Sequence, residues 1–316
     1  MISGSGKGYL CLLAAAIMWA ISGTTGKALF ESGITPMEVV QLRATLASLL
    51  LAIVFSVRRR DLFHIRRADI GYFLLLGGVA MALVQVTYFY AISKLQVAAA
   101  ILLQYMAPIL VALFSMCFWK ERPTATKLGA LVLSFLGCYL VVGGYNLQFV
   151  QMNRVGILWG LGAAVCYAGY ALLGERGMHR YSPWTVLFYA LAFSALSWHI
   201  FYEPFHYLRT GYSLTQWTGL CYIAVFGTAI PFGLYFVGIN YVRSTRAMIT
   251  ATLEPISAGF IAYLFLGEAL EPLQILGAAL VIGAIILLQL RSERDEMTPE
   301  LIRSRSVETR EPKVEH

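Results

Sequence analysis

The chain has 316 residues, of which 59% are hydrophobic and only 13% are charged, and its formal net charge at pH 7 is +7. Soluble domains are nearer half apolar and a quarter charged, so this composition excludes an ordinary soluble domain and predicts an integral membrane protein. The positive charge does not indicate a nucleic-acid partner, because the basic residues lie at the ends of apolar segments and not in one block.

Ten apolar segments follow one another along the chain, each about long enough for a helix to cross a bilayer core of about 30 Å. They cover residues 8–30, 36–57, 70–92, 97–119, 124–143, 155–174, 183–202, 214–238, 244–266 and 270–290. The tail 291–316 alternates in charge and has few large apolar residues, which predicts disorder. The expected fold class is an all-α integral membrane protein with ten transmembrane helices.

Basic residues in the loops predict the orientation of such a protein, since cytoplasmic loops are enriched in Lys and Arg. With the short N-terminus 1–7 inside, the inner loops carry Arg58, Arg59, Arg60, Arg66, Arg67, Lys120, Arg122, Arg176, Arg180, Arg243 and Arg246. The outer loops carry only Lys94, Arg154 and Arg209. Both termini are therefore expected in the cytoplasm, with the chain in the inner cell membrane.

The two halves of the sequence align at an offset of 147 residues, which pairs Pro108 with Pro255 and Pro36 with Pro183. Each unit then contains five predicted spans. Because five is an odd number, the second unit enters the membrane in the opposite orientation, which is the inverted-repeat architecture of secondary transporters. The units cover residues 8–143 and 155–290, and an extracytoplasmic linker covers 144–154.

Three stretches of the sequence carry a resemblance to a known family. They are Trp19 with Ala20, "LRATLASLLL" around Arg43, and the ending "LEPISAGFIAYLFLGEALEPLQILGAALVIGAIIL". These stretches resemble the ten-helix EamA-type exporters of the drug/metabolite transporter superfamily, although that family favours Trp-Gly where this chain has Trp19-Ala20. The resemblance covers about residues 8 to 290. It implies a carrier of small metabolites and does not indicate which one.

A carboxylate, Glu254, is predicted near the middle of the ninth span, about 15 Å deep. A charge at that depth costs about 2.5–3.5 kcal/mol on insertion scales, so the side chain is expected to face protein or water. Thr250 lies one turn earlier on the same helix face. Pro255 and its repeat mate Pro108, one turn after Gln104, are candidate hinges, because proline removes a backbone N–H. The alternative is a static kink whose glutamate bonds a neighbouring helix.

Arg43 is the one cation predicted well inside the membrane, about 10 Å from the outer surface. Buried charges pair or lose their charge, so a contact between Arg43 and Glu254 in one transport state is a hypothesis. Glu254 is a candidate for proton coupling or for binding a substrate amine. Arg43 is a candidate counterion or ligand for a substrate carboxylate. The alternative is that Arg43 extends to the outer surface and has a structural role.

Further candidates lie in the spans that surround the central cavity in the resembling family. They are Trp19, Thr25, Gln85, Tyr88, Gln104, Tyr167, Tyr170 and Tyr235. For each aromatic residue the alternative is helix packing or a place at the membrane interface. As a set they predict a cavity with aromatic walls and few charges, which suits a small amphipathic solute.

The expected function is secondary active transport, most simply export, of an amino acid, an amine or a related small solute by alternating access. Its expected partners are this solute, protons and lipid, with a homodimer possible through the small-residue faces of spans five and ten. No enzyme activity, cofactor or metal site is predicted, because "GSGKG" at 4–8 lacks the features of a phosphate loop and no ligand cluster occurs at metal spacing. The alternatives are a passive channel or facilitator and a non-transporting membrane scaffold or receptor.

Overall fold

The computed structural model describes residues 4–95, 97–118, 124–141, 144–145, 154–266, 271–290 and 298–308. Within these ranges every regular element is helical. Seven helical stretches there are long and apolar enough to cross a membrane, and shorter apolar helices cover Ala125–Leu140 and Pro272–Leu287. The predicted all-α membrane fold is therefore confirmed, whereas the number of ten spans stays a prediction.

Helices overlap each of the ten predicted segments. The first half contains α1 (Gly4–Glu31), α2 (Pro36–Arg58), α3 (Ile70–Phe73), α4 (Ala82–Lys94), α5 (Val97–Gln104), α6 (Ala107–Phe118) and α7 (Ala125–Val141). The second half contains α8 (Arg154–Met178), α9 (Pro183–Phe201), α10 (Leu214–Ala224), α11 (Ile230–Ala251), α12 (Leu253–Leu266), α13 (Pro272–Leu290) and α14 (Pro299–Glu308). The stretch α11 consists of two helices that meet at Arg243, whose backbone is not helical. A π-helical stretch, Leu74–Met81, joins α3 to α4, and a second one, Val225–Ala229, joins α10 to α11.

The second span of each half begins in the same way. Thr35 accepts a hydrogen bond from the backbone N–H three residues later at 3.3 Å, and Ser182 does so at 3.2 Å. Pro36 and Pro183 follow these caps at the start of α2 and α9, where the missing N–H of proline would have no partner within the helix. The two starts lie 147 residues apart, which is the offset of the sequence repeat.

The fourth span of each half is broken, again at equivalent positions. Residues 105–106 separate α5 from α6, and Thr252 separates α11 from α12. Pro108 and Pro255 lie in the first turn after each break, where proline is tolerated. The helix is locally interrupted over two residues in the first half and over one in the second, and the role of the two prolines as hinges stays a prediction. The physical reason for the interruptions is that a proline ring would clash with the carbonyl four residues earlier if the helix continued through it.

Contacts between helices relate the two halves to each other. The α1 helix packs on α11, and α8 packs on α4, and these two contacts are equivalent when the halves are exchanged. The α2 helix packs on its counterpart α9, and α7 packs on its counterpart α13. The helix contacts are therefore preserved when the two halves are exchanged, as in a structure with two-fold pseudosymmetry. This symmetry places the broken spans and α1, α4, α8 and α11 around the centre.

The outside of the helix bundle is strongly apolar. Leu49, Ile53 and Val57 on α2 are more than half exposed, as are Leu158 and Val165 on α8. Soluble proteins rarely expose apolar surface of this extent, whereas a bilayer requires it. Polar side chains such as those of Arg43, Gln85 and Glu254 lie inside the bundle. This reverses the usual arrangement of a soluble protein, in which apolar side chains lie inside and polar side chains outside.

The α7 and α13 helices, which carry the small residues of spans five and ten, pack closely on each other. A Cβ atom added at Gly137 would lie 2.7 Å from the backbone oxygen of Gly277 and 2.6 Å from the Val281 side chain. The glycine therefore permits a contact between the two halves that a larger residue would prevent. At this point the small-residue face is used within the chain, and a homodimer stays a prediction.

Within the tail, residues Pro299–Glu308 form the short helix α14. Arg303 Nη1 lies 2.8 Å from the backbone oxygen of Met178, 3.1 Å from that of Tyr181 and 3.2 Å from Asn240 Oδ1. Met178 ends α8, and the last carbonyls of a helix lack partners within it and favour a nearby cation. The composition of the tail did not reveal this tertiary contact.

Candidate functional site

A cavity of about 490 Å³, counting the part open to solvent, lies between the helices of both halves. Residues of α1, α2, α4, α5, α8, α11 and α12 line it. Several of the predicted candidates meet there: Trp19, Arg43, Gln85, Tyr88, Gln104, Tyr167 and Glu254. The fold therefore brings together, at the centre of the bundle, side chains that are up to 235 residues apart in the sequence (254 − 19 = 235).

Glu254 lies at the helix interruption between α11 and α12 and is only 4% exposed. Its Oε1 accepts a hydrogen bond from the Tyr88 hydroxyl at 3.3 Å, and its Oε2 lies 2.8 Å from the Tyr105 hydroxyl. Both tyrosines come from the first half of the chain, so the carboxyl group of the second half is held by residues of the other repeat. Lipid does not reach it, as the insertion cost requires.

The Tyr105 hydroxyl has two acceptors within reach but only one proton to donate. It lies 2.6 Å from the backbone oxygen of Ala251 and 2.8 Å from Glu254 Oε2. Every group is satisfied when Glu254 itself carries a proton, because the carboxyl then donates to Tyr105 while Tyr105 donates to Ala251. The Ala251 carbonyl lies four residues before Pro255, which has no N–H to donate to it, and it is bonded instead by a tyrosine that the sequence did not single out.

Replacing Tyr105 with Phe should leave the Ala251 carbonyl and one Glu254 oxygen buried without their hydrogen-bond partner. We expect the free energy of unfolding to fall by about 1–3 kcal/mol, the usual cost of a buried unsatisfied polar group. The measurement is thermal unfolding of the purified protein in detergent. Tyr88→Phe is the matched control, since it removes a longer bond to a single acceptor and should cost less. Equal losses in the two variants would contradict the dual role of Tyr105.

Arg43 is 4% exposed and points into the bundle, so it does not extend to the surface. Its Nε donates to Thr228 Oγ1 at 2.8 Å, and its Nη2 donates to the Gly227 backbone oxygen at 2.9 Å. The guanidinium carbon lies 4.9 Å from the centre of the Phe89 ring, a cation–π contact. The hypothesised contact with Glu254 is not made in this conformation. The reason is that the π-helical turn before α11 presents a hydroxyl and a carbonyl to Arg43 instead.

Polar atoms without protein partners face the same cavity. Neither the amide nitrogen nor the amide oxygen of Gln85 has a hydrogen-bond partner among the described residues, although this side chain is 2% exposed. The same holds, within that part of the chain, for Gln104 Oε1 and Trp19 Nε1. Buried polar groups normally are hydrogen-bonded, so these amide and indole groups are available to a polar solute.

Aromatic rings form the walls of the cavity and the layer behind them. Trp19 packs edge-on against Phe232, with ring centres 5.0 Å apart. Tyr235 lies behind Trp19 at 5.2 Å, and Tyr170 stacks on Phe236 at 4.9 Å. Tyr170 and Tyr235 are fully buried and are not among the cavity-lining residues, so they support the wall instead of forming it.

Two predicted hydroxyl candidates are directed to their own helices. Thr25 Oγ1 donates to the Ile21 backbone oxygen at 3.0 Å, and Thr250 Oγ1 donates to that of Arg246 at 2.8 Å. Neither lines the cavity. A threonine in a helix commonly bonds the carbonyl four residues earlier, which explains why the helical spacing alone was misleading.

The site residues that the sequence did not predict are uncharged side chains that contact Glu254 or Arg43. Tyr105, Phe89 and Phe232 carry no unusual feature within segments that are rich in aromatics. Tyr105 did offer one signal, because the 147-residue offset pairs it with Thr252, two residues before Glu254. Among the described residues, no group of three or more His, Cys, Asp and Glu side chains is placed to hold a metal ion.

The structure has two related halves of apolar helices that enclose a cavity. Some of the polar side chains in this cavity have no hydrogen-bond partner among the described residues. This arrangement is that of a membrane transporter. The chain belongs to the EamA-like transporter family, which matches residues 6–143 and 154–290. The two matched segments coincide with the two halves recognised by the internal offset, and the chain is a multi-pass membrane protein.

Relatives of known sequence agree with this family. An uncharacterized inner membrane transporter of Salmonella typhimurium, YicL, is 28% identical over 294 residues, which are 91% of this chain and 97% of YicL. The threonine/homoserine exporter RhtA of Escherichia coli is 27% identical over 277 residues, 85% of this chain and 88% of RhtA. A protein crystal structure with 18% identity superposes with a TM-score of 0.69 over 90% of this chain and 96% of its own, which shows a shared fold.

Proposed function

We propose that this chain is a secondary active transporter that exports a small zwitterionic solute, such as an amino acid, from the cytoplasm. The observation that carries the proposal is that Glu254 and Arg43 line one cavity, both 4% exposed, without pairing with each other. An unpaired acid and an unpaired base within one cavity suit a solute that has an ammonium group and a carboxylate. Glu254 binds the ammonium group, and Arg43 binds the carboxylate through its remaining N–H donors.

The bonds around Glu254 support exchange of the solute for a proton. Its hydrogen-bond network with Tyr105 and Ala251 is complete when the carboxyl group is protonated. Binding of an ammonium group from the cytoplasm displaces that proton, and the carboxylate then pairs with the ammonium. After the solute leaves on the other side, a proton from that side returns to Glu254. One proton therefore moves inward for each solute moved outward.

The architecture proposed for this cycle is ten spans in two inverted repeats, with both termini in the cytoplasm. The exchange pattern of helix contacts and the equivalent breaks before Pro108 and Pro255 support two such halves. The two interrupted spans meet near Glu254, where helix breaks expose backbone carbonyls to a cavity. Rocking of one half against the other opens that cavity to one side at a time.

The side-chain chemistry favours a hydroxylated amino acid as the first solute to test. Gln85 and Gln104 supply amide atoms that have no hydrogen-bond partner in the part of the chain that the structure describes, and amides hydrogen-bond a hydroxyl well. The relative RhtA is named as a threonine/homoserine exporter, and both of these amino acids carry a hydroxyl group. L-threonine is therefore the probe solute that we choose.

Counterflow of labelled L-threonine into proteoliposomes preloaded with unlabelled L-threonine tests the proposal. We expect saturable counterflow that L-homoserine inhibits and that threonine methyl ester, which lacks the carboxylate, inhibits far less. A passive channel would give flux without saturation or counterflow, and a scaffold would give no flux. Either result, obtained with protein whose folding is verified by a cooperative melt, would refute the transporter proposed here.

A further inference from the structure

A third buried arginine, besides Arg43 and Arg243, is Arg246 on α11. Arg246 is 7% exposed, and its Nε is inaccessible to solvent. Its guanidinium makes no hydrogen bond or ion pair with any of the described residues. A buried charge without a partner is costly, so proteins seldom retain one unless something compensates it during function.

The neighbouring Arg243 shows how the same region compensates an arginine that has a structural role. Arg243 Nε donates to Glu175 Oε1 at 2.8 Å, and the same carboxylate accepts from the Ser244 backbone N–H at 2.7 Å. Glu175 is fully buried. Arg243 and Arg246 are three residues apart, but among the described residues only Arg243 is paired with an acid.

Arg246 belongs to the same predicted span as Glu254 but lies on α11, before the interruption at Thr252. Arg246 and Thr250 lie one turn apart on α11. The helical rise puts Arg246 about 12 Å from Glu254, toward the predicted cytoplasmic end. Tyr9 of α1 is close enough to interact with Arg246 electrostatically, so α1 covers the arginine in this conformation.

Several basic residues lie at the end of the bundle that carries Arg243, three residues before Arg246. At the same end of the bundle, burial and the nearby Arg243 guanidinium lower the pKa of His179, with Arg176 and Arg303 adding to the effect. A positive potential of this kind attracts and orients anions.

We infer that Arg246 is a carboxylate-binding site on the cytoplasmic route to the cavity, where it captures the solute before it reaches Arg43 and Glu254. The inference rests on the proposed function for the identity of the solute, but not for the binding of an anion. When α1 and α11 separate toward the cytoplasm, the guanidinium fork becomes accessible to a carboxylate, for which its geometry is well matched. Closing the cytoplasmic end covers Arg246 again.

The first test measures stability and anion binding without transport. In purified protein, Arg246→Gln should leave the melting temperature unchanged or raise it, whereas Arg243→Gln should lower it, because only the second change breaks an ion pair. Acetate should raise the melting temperature of Arg43→Gln, in which Arg246 remains, by mass action. It should not raise that of Arg43→Gln/Arg246→Gln. If Arg246→Gln melts as early as Arg243→Gln, or if acetate stabilises the double variant equally, the inference fails.

The second test measures the side on which Arg246 acts, in membrane vesicles of each orientation. Arg246→Gln should raise the half-saturating L-threonine concentration at the cytoplasmic face about tenfold, with less than a twofold change at the other face. Arg246→Lys should recover part of the loss. Arg67→Gln removes an exposed charge just before α3, on the predicted cytoplasmic side, and should behave like the wild type. Equal effects at both faces would overturn the inference.

A lipid phosphate shares the chemistry of a carboxylate, so the second test is repeated in two lipid compositions. The effect of Arg246→Gln should be the same in vesicles of phosphatidylcholine alone and in vesicles that also contain phosphatidylglycerol. An effect seen only with phosphatidylglycerol would assign Arg246 to a lipid headgroup and overturn the inference. If wild-type protein shows no saturable L-threonine flux, the proposed function fails, and the acetate experiment still decides whether Arg246 binds an anion.

Discussion

Glu254→Gln is expected to reduce L-threonine counterflow about 30-fold or more and to remove its dependence on pH. The magnitude follows from the loss of one partner of a buried charge pair between Glu254 and the ammonium group, which typically costs about 2–5 kcal/mol. Glutamine preserves the size of the side chain and still accepts a hydrogen bond from Tyr88 through its oxygen. The expected loss is therefore one of charge and proton exchange, and not one of packing.

The measurement is counterflow in proteoliposomes at several pH values on both sides of neutrality. Wild-type flux should vary with pH, because solute and proton compete for the same carboxyl group. The matched control is Glu31→Gln, which removes an exposed acid at the end of α1 and should preserve both flux and pH dependence. Wild-type flux in Glu254→Gln with an unchanged pH profile would exclude the coupling role of Glu254.

Glu175→Gln is expected to destabilise the folded protein by about 3–5 kcal/mol, because it leaves the buried Arg243 guanidinium without a countercharge. Glu175 also accepts the Ser244 N–H next to Arg243, whose backbone has φ 69° and ψ 164°. A non-glycine residue rarely adopts positive φ, so the carboxylate holds a strained backbone in addition to a charge. Thermal unfolding in detergent measures the loss, and transport assays are not needed.

The double variant Glu175→Gln/Arg243→Gln separates the charge effect from the rest. If the cost of the single variant arises from the uncompensated charge, the double variant should be more stable than Glu175→Gln alone. An ion pair removed as a whole costs less than one broken on one side. A double variant that loses the sum of both single effects would show that the two residues contribute independently.

Much of the fold was predictable because a bilayer constrains sequence strongly. Long apolar segments must be helices in lipid, since every backbone group needs a partner within the segment. Helices accordingly overlap all ten predicted segments, and the offset that aligns Pro108 with Pro255 corresponds to equivalent helix breaks. What the helical periodicity did not reveal is that each fourth span stops and restarts, since a proline pattern alone fits a kink as well as a break.

The composition of the site was partly predictable, and its bonding was not. The cost of charge in a membrane identified Glu254 and Arg43 as interior residues, and both line the central cavity. Their partners were not identifiable, since Tyr105 and Thr228 are ordinary residues in apolar segments. Thr25 and Thr250 have the helical spacing expected of cavity-lining residues, yet their hydroxyls donate to carbonyls of their own helices.

The sequence by itself determined the membrane class, the helical segments, the two-fold repeat and the burial of Glu254, because each depends on local hydrophobicity or on chain-wide similarity. Only the tertiary structure decided that Arg43 bonds Thr228 and Gly227, that Tyr105 links Glu254 to Ala251, and that Arg303 docks the tail on α8. These contacts join residues that are 125 to 185 positions apart in the sequence. Such geometry is set by packing between helices, which no single segment encodes.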